Sequence, residues 1–270
     1  MASESALFDA RVAGVFEDDP AGGSEEAFLV NPSRRVVESV VTHLEPDQPG
    51  SLRLFAAEDP LKELFDEFTI ASATADLVES DVLSIRLLES VPRHSLLLTD
   101  ERVVSIVDDG DRIRGLATGT NSLVADAYER YRDRWEQADG YSLRAPPLSR
   151  IERTLRRELG APVATDFDRA LSAVEEHDGA PVDEVAAALL VAAKHDELLY
   201  DISQWGEEVG LASKATFSRT KNRLEETDIL DTNKVPIDVG RPRLRLTLGP
   251  NGLEEAAPEA VVETAADRLA

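Results

Sequence analysis

The sequence predicts an α+β chain: an N-terminal α/β sensor-like domain, a helical connector and a C-terminal winged helix-turn-helix. Three observations predict it. Short apolar strands and helical stripes alternate through the first half. Residues 213–248 hold a basic helix followed by an alternating Arg/Leu strand. That segment is locally positive in a chain whose formal charge is −24. The predicted segments are a flexible stretch at 1–24, the α/β sensor and dimerisation domain at 25–145, the connector at 146–180, the winged helix at 181–250 and a C-terminal helix at 251–270.

The opening residues Ser3 to Phe8 have the composition of a short helix, followed by the acidic Glu17-Asp18-Asp19 and the flexible Gly22-Gly23-Ser24. Ala27 to Val30 is a buried strand, Asn31-Pro32-Ser33 a turn and cap, and Arg34 to His43 a helix carrying Val36, Val37, Val40 and Val41. Ser51 to Phe55 is a second strand. Strand–helix–strand order implies an α/β layer. Asp59 to Phe68 reads as a helix with Asp59 as N-cap and Pro60 first inside; its stripe is Leu61, Leu64, Phe65 and Phe68. Ile70 to Val78 is a further helix, and Val82 to Leu88 fits strand or helix. Ser95 to Asp100 and Arg102 to Val107 form a hairpin. Asp108-Asp109-Gly110-Asp111 is the next turn, and Ile113 to Ala117 a third strand. Asn121 to Gln137 is an amphipathic helix with Leu123, Tyr128, Tyr131 and Trp135.

After the loop Tyr141–Pro147, Leu148, Ile151, Leu155 and Leu159 make one helical stripe, closed by Gly160, and Phe167, Leu171 and Val174 another. These helices fit core packing, coupling of the halves, or pairing across a dimer. Val182 to His195 is apolar on most sides, as the buried first helix of the winged-helix module would be. Asp201 to Val209 carries Ile202, Trp205 and Val209 at helical spacing. Gly210 can take the left-handed conformation that ends a helix. Gly210-Leu211-Ala212-Ser213 is then the short turn of a helix-turn-helix. Ser213 caps the next helix, whose buried stripe is Phe217, Thr220 or Lys221, and Leu224. Val235, Ile237 and Val239 read as the first wing strand after a polar break, Gly240-Arg241-Pro242 as its turn, and Arg243 to Leu248 as the second strand. There Arg243, Arg245 and Thr247 alternate with Leu244, Leu246 and Leu248. Pro258 to Leu269 is a last helix that could pair across a dimer or fray.

From Leu211 to Gly249 the chain has eight Lys and Arg against five Asp and Glu, a local charge of +3. A basic island in an acidic chain is the footprint of a phosphate-contacting surface; charge alone equally fits a solvated helix face. The residue pattern separates the two. A recognition helix offers the N-terminal half to base edges, where Arg suits guanine and Asn suits adenine. The expected DNA-binding residues are Ser213, Lys214, Thr216, Ser218, Arg219, Asn222 and Arg223 on the helix, with Arg241, Arg243 and Arg245 on the wing. Arg243 and Arg245 fit phosphates or the domain's own acids.

The chain has no cysteine, so no disulfide or thiolate metal site can form. Its four His are scattered without ligand spacing. No apolar run approaches the ~20 residues of a membrane span and no signal peptide opens the chain, so a cytoplasmic protein is expected. Asp and Glu number 53 while Lys occurs five times. That balance suits molar salt, where the screening length is ~3 Å, and points to a halophilic archaeon; an ordinary acidic cytosolic protein is the plainer alternative. No nucleophile–base pair, metal cluster or phosphate loop supports an enzyme, and no cofactor is expected. The expected partners are double-stranded DNA, a second copy of the chain and a small-molecule effector. The competing reading is a winged-helix adaptor that binds protein.

Two resemblances add to this. Residues 95–140, with Leu96-Leu97-Leu98-Thr99-Asp100, Val103 to Asp109 and a helix ending Arg134-Trp135-Glu136-Gln137-Ala138, resemble the effector-side domains of archaeal regulators of the TrmB type, whose sensor half is phospholipase-D-like. The His-x-Lys signature of that superfamily is absent: His94 has no Lys two residues on. The start Ser5-Ala6-Leu7-Phe8, the stretch Phe28 to Ser33, and Ser213–Arg223 with Gly240-Arg241-Pro242 resemble the haloarchaeal TbsP family of transcriptional regulators. That resemblance implies regulation of central carbon metabolism genes.

Overall fold

The computed structural model describes residues 7–8, 26–47, 50–90, 92–109, 112–176, 181–236, 242–249, 253 and 255–270. The remainder of the segment read as residues 1–24, Gly110-Asp111, Gly179-Ala180 and the wing residues Ile237 to Arg241 lie outside the described residues. The chain divides into two compact units, Met1–Pro147 and Leu148–Ala270.

The first unit is built on a seven-stranded mixed sheet of order β1-β7-β6-β5-β2-β3-β4. Its strands are β1 (Leu7–Phe8), β2 (Glu26–Val30), β3 (Ser51–Ala56), β4 (Leu83–Leu87), β5 (Ser95–Leu98), β6 (Val103–Asp108) and β7 (Ile113–Thr118). The β2, β3 and β4 strands run parallel, whereas β5, β6, β7 and β1 continue the sheet antiparallel. Leu7 and Phe8, expected in a helix, instead pair with Leu116 and Gly115 as an edge strand; strand pairing outweighs the weak helical propensity of so short a run. Within the stretch Val82 to Leu88, Leu83–Leu87 resolves as strand, because it completes the parallel ladder beside β3.

Alternation along β2 defines two cores. Ala27 and Leu29 face one side with Val36, Val37 and Val40 of α1 (Arg34–His43), Leu61 and Leu64 of α2 (Glu58–Phe65) and Leu77 of α3 (Phe68–Glu79). Phe28 and Val30 face the other with Tyr131 and Trp135 of α4 (Asn121–Gln137). A stretch buried on both faces must be apolar, which is why Ala27 to Val30 of β2 reads as one short hydrophobic run. Ser33 caps α1, its hydroxyl accepting from the Val36 amide at 3.4 Å.

Three details of the helices depart from the sequence expectation. The α2 helix starts at Glu58, with Ala57 as N-cap, so Asp59 lies inside the first turn and Pro60 one position further. Both carboxylates then sit where the helix dipole favours anions. Phe68, expected at the end of this helix, begins α3. On α4, Leu123 is 51% exposed and Val124 is buried in its place. Positions 124, 128, 131 and 135 keep to one helical face, whereas Leu123 is rotated by about 100°.

Around Trp135, Phe28 and Phe55 make edge contacts at 6.0 and 5.5 Å. Arg53 stacks on Phe28 and Trp135 and pairs with Glu26, which also accepts from the Tyr128 hydroxyl at 3.0 Å. Burial first, then that hydrogen bond, pushes the Tyr128 phenol up to about 12. The neutral phenol is favoured in the fold, so its stabilisation is complete below pH 10 and lost as pH rises from 10 through about 12. In a spectrophotometric titration one of the four tyrosines should ionise near 12, and Tyr128→Phe should remove that step.

The second unit is helical with a two-stranded wing. It contains α5 (Leu148–Glu158), α6 (Ala161–Glu176), α7 (Glu184–Lys194), α8 (Leu199–Val209), α9 (Lys214–Glu226), β8 (Leu230–Val235), β9 (Arg243–Leu248) and α10 (Pro258–Leu269). All nine residues from Val185 to Ala193 are buried, and α7 packs against α6, α8, α9, α10 and both strands. The run of Ala and Leu that looked apolar all round is therefore the axle of the unit. Residues 148–176, read from the sequence as a connector, form α5 and α6, which pack with α7, α8 and α10 in this unit. Trp205 joins three of these helices: its ring meets Phe167 of α6 edge-on at 6.1 Å, and its indole N–H donates to Thr154 Oγ1 of α5 at 2.9 Å. Val261, Val262 and Ala265 of α10 are buried, and Glu259 takes a two-pronged bond from Arg169 of α6 at 2.7 and 2.8 Å. The apolar face of the last helix is thus covered by this chain itself.

Candidate nucleic-acid interface

The interface is built on α8 and α9. Gly210, with φ of 88°, ends α8, and the Leu211 amide returns to the Gly206 carbonyl at 2.8 Å. Three residues later Ser213 caps α9, its hydroxyl accepting from the Thr216 amide at 3.2 Å. Phe217, Thr220, Lys221 and Leu224 are buried, the stripe read from the sequence with both alternatives at 220 and 221 inside. Lys221 escapes a buried-charge penalty by pairing with Glu225 at 2.6 Å. Glu225 in turn accepts from the Thr232 hydroxyl of β8 at 2.8 Å, tying helix to wing.

The opposite surface of α9 is polar and open. Ser213, Lys214, Ser218, Arg219, Asn222 and Arg223 are exposed and Thr216 half-exposed. Within this group Lys214 lies 3.5 Å from Glu207 and Arg223 4.0 Å from Asp183. Arg219 donates to Thr216 Oγ1 at 3.3 Å and has no carboxylate partner among the described residues.

The wing begins earlier than the sequence suggested. Its first strand is Leu230–Val235, and the supposed polar break Asp231-Thr232-Asn233 is part of it. Residue-for-residue pairing from Leu230↔Leu248 to Val235↔Arg243 fixes this register. Ile237, Val239 and Arg241 lie outside the described residues. In β9, Leu246 and Leu248 are buried while Arg245 is exposed, as period-two alternation requires. The Leu246 amide donates to the Glu197 carbonyl at 2.9 Å, and Leu198 forms an isolated antiparallel bridge with Arg245, so the segment entering α8 lies along the wing.

That junction brings in residues the sequence reading passed over. Tyr200, in the first turn of α8, is 45% exposed. The Arg243 guanidinium sits 4.1 Å from its ring centre and the Lys214 ammonium 5.6 Å. Arg243 also reaches Asp201 at 3.4 Å. A tyrosine directly before the predicted helix Asp201 to Val209 was the available signal for Tyr200. Glu197 stands beside the wing with its carboxyl pushed above the usual range, by burial first and then by Asp201. Among the described residues no group of His, Asp and Glu is placed to hold a metal ion.

A capped second helix, a short glycine turn and a two-stranded wing define a winged helix-turn-helix protein. The profile described as "Transcriptional regulator TbsP-like, C-terminal HTH domain" matches residues 147–266, and the one described as "Transcriptional regulator TbsP-like, N-terminal" matches residues 4–146. The chain belongs to the family of TbsP-like transcriptional regulators, which is not a family of enzymes. No curated protein matches the chain. Among solved structures it is similar to TrmBL2, an archaeal chromatin protein described as showing a novel mode of DNA binding. Identity is 14% and the TM-score 0.35, over 52% of this chain and 55% of that one.

Proposed function

We propose that the chain is a sequence-specific regulator of transcription that binds double-stranded DNA through α9 and the wing. The observation that carries this reading is the exposed surface of α9. It presents Ser213, Lys214, Thr216, Ser218, Arg219, Asn222 and Arg223 opposite a buried stripe, so the polar groups can enter a groove while the fold stays closed. Arg243 and Arg245 of β9 extend that surface along the wing, and Arg241 joins them on the sequence reading. The Lys-poor, Asp- and Glu-rich composition supports a halophilic archaeal cytoplasm as the setting. Molar salt weakens phosphate contacts, which favours a homodimer whose second reading head adds avidity. The α/β unit is the place for a small-molecule effector. Central carbon metabolism genes as targets rest on the resemblance to the haloarchaeal family.

The test is a binding titration on genomic fragments in molar KCl, wild type beside Arg219→Ala/Arg241→Ala. Selective binding by the wild type that the double variant loses is the expected result. Equal, absent or wholly unselective binding by both would overturn the reading in favour of a protein-binding adaptor.

A further inference from the structure

The cations at the edge of the reading surface are already engaged in the free protein. Tyr200 lies where three elements meet: the first turn of α8, the N-terminal turn of α9 and the wing strand β9. Arg243 and Lys214 come from two of those elements and share its ring, at 4.1 and 5.6 Å. Each also has a carboxylate neighbour, Asp201 at 3.4 Å for Arg243 and Glu207 at 3.5 Å for Lys214. All five side chains are at least partly open to solvent. The Tyr200 ring is 45% exposed at this junction, so the cations it holds stay within reach of a ligand from solvent.

Resting on the DNA-binding reading above, we propose that Tyr200, Arg243 and Lys214 form a backbone-phosphate subsite at the junction of recognition helix and wing. The ring holds the two cations in register, and Asp201 and Glu207 occupy them until phosphate takes their place. The chemistry favours this exchange. Guanidinium over a ring face keeps its N–H edge free for an oxyanion. An exposed carboxylate pair contributes ~0–1 kcal/mol, so a phosphate that also releases condensed counterions can displace it. The subsite carries no base information; it fixes the approach of α9 to the groove. Because the cations start neutralised, unselective association is held down.

The experiment uses the full chain and a fluorescein-labelled mixed-sequence 30-base-pair duplex, followed by anisotropy over a KCl series. Four proteins are compared: wild type, Tyr200→Ala, Tyr200→Phe and Asp201→Asn/Glu207→Gln. Tyr200→Ala should bind roughly tenfold more weakly, with a log–log salt slope shallower by about 1 to 2, one phosphate accounting for ~0.9. Tyr200→Phe should bind like wild type, since the ring and not the hydroxyl does the holding. The double carboxamide variant should bind several-fold more tightly, and its outcome stands even if Tyr200→Ala misfolds. Wild-type affinity and slope in Tyr200→Ala, equal losses in Tyr200→Ala and Tyr200→Phe, or no gain in the carboxamide variant would each overturn the subsite while leaving DNA binding intact. No duplex binding by folded wild type would overturn both.

Discussion

Arg219→Ala is expected to weaken binding to a cognate duplex by about 5-fold to 150-fold, the ~1–3 kcal/mol of one bidentate contact to a base, with the fold unchanged. The other cations of α9 have work inside the protein. Lys221 is buried against Glu225, Lys214 leans to Glu207 and Tyr200, and Arg223 approaches Asp183. Arg219 is held only by Thr216 Oγ1 among the described residues, a bond that aims the guanidinium without neutralising it. Its removal takes away the group proposed to read a base and leaves no buried charge behind, so the melting temperature should stay put. Arg219→Lys is the sharper comparison. It keeps the charge and loses the planar fork, so it should retain unselective binding and lose discrimination between cognate and scrambled duplexes. Competition titrations against unlabelled scrambled DNA read both quantities. Undiminished selectivity in Arg219→Ala would move the reading group elsewhere on the surface.

Gly206→Ala should be among the most damaging single changes in the second unit, at about 3 kcal/mol by denaturant titration, the upper range for an overpacked core. A methyl at position 206 would meet the Phe217 ring under 3.0 Å, and Phe217 is fully buried. The two helices of the motif touch at this point, so the methyl must either push α9 away from α8 or unseat the ring. Either response alters the angle at which the polar face of α9 is presented, and duplex binding should fall together with stability. Gly210→Ala is the control. Its φ of 88° is strained for a side chain, but the space around it is open; the cost is the ~1–2 kcal/mol of a left-handed residue. Trimming the ring in Gly206→Ala/Phe217→Leu should recover part of the loss, a coupling that only contacting residues show. Additive effects would mean the clash is not what makes Gly206→Ala costly.

Local chemistry accounts for what could be read from the chain alone. Ser213 as cap, Gly210 as left-handed terminator and the stripe Phe217–Leu224 are all decided within about one helical turn of themselves, so the helix-turn-helix was legible residue by residue. The same holds for Ser33 before α1 and for the Arg/Leu alternation of β9. The exposed polar face of α9 follows from the same periodicity, which is why its candidate residues could be named. Elements whose state depends on distant partners were less legible. Leu7–Phe8 is strand because β7 offers it a ladder, and Leu83–Leu87 because β3 does. The start of β8 is set by counting back from Leu248 across the hairpin, against a local sequence, Asp231-Thr232-Asn233, that resembles a loop.

By itself, then, the sequence determined the class of the two halves, the capped helix α9 with its polar face and the acidic background in which it sits. Each is a matter of period, cap or composition. Tertiary structure alone decided three other things. It folded the helices at 148–176 around α7 and Trp205, it covered the last helix with α6 and α7, and it brought Tyr200 between Arg243 and Lys214. The physical reason is common to all three. Helical spacing says which face of an element must be covered but carries no information on what covers it. Residues 14 and 43 positions from Tyr200 can share its ring only after the hairpin has closed on α8.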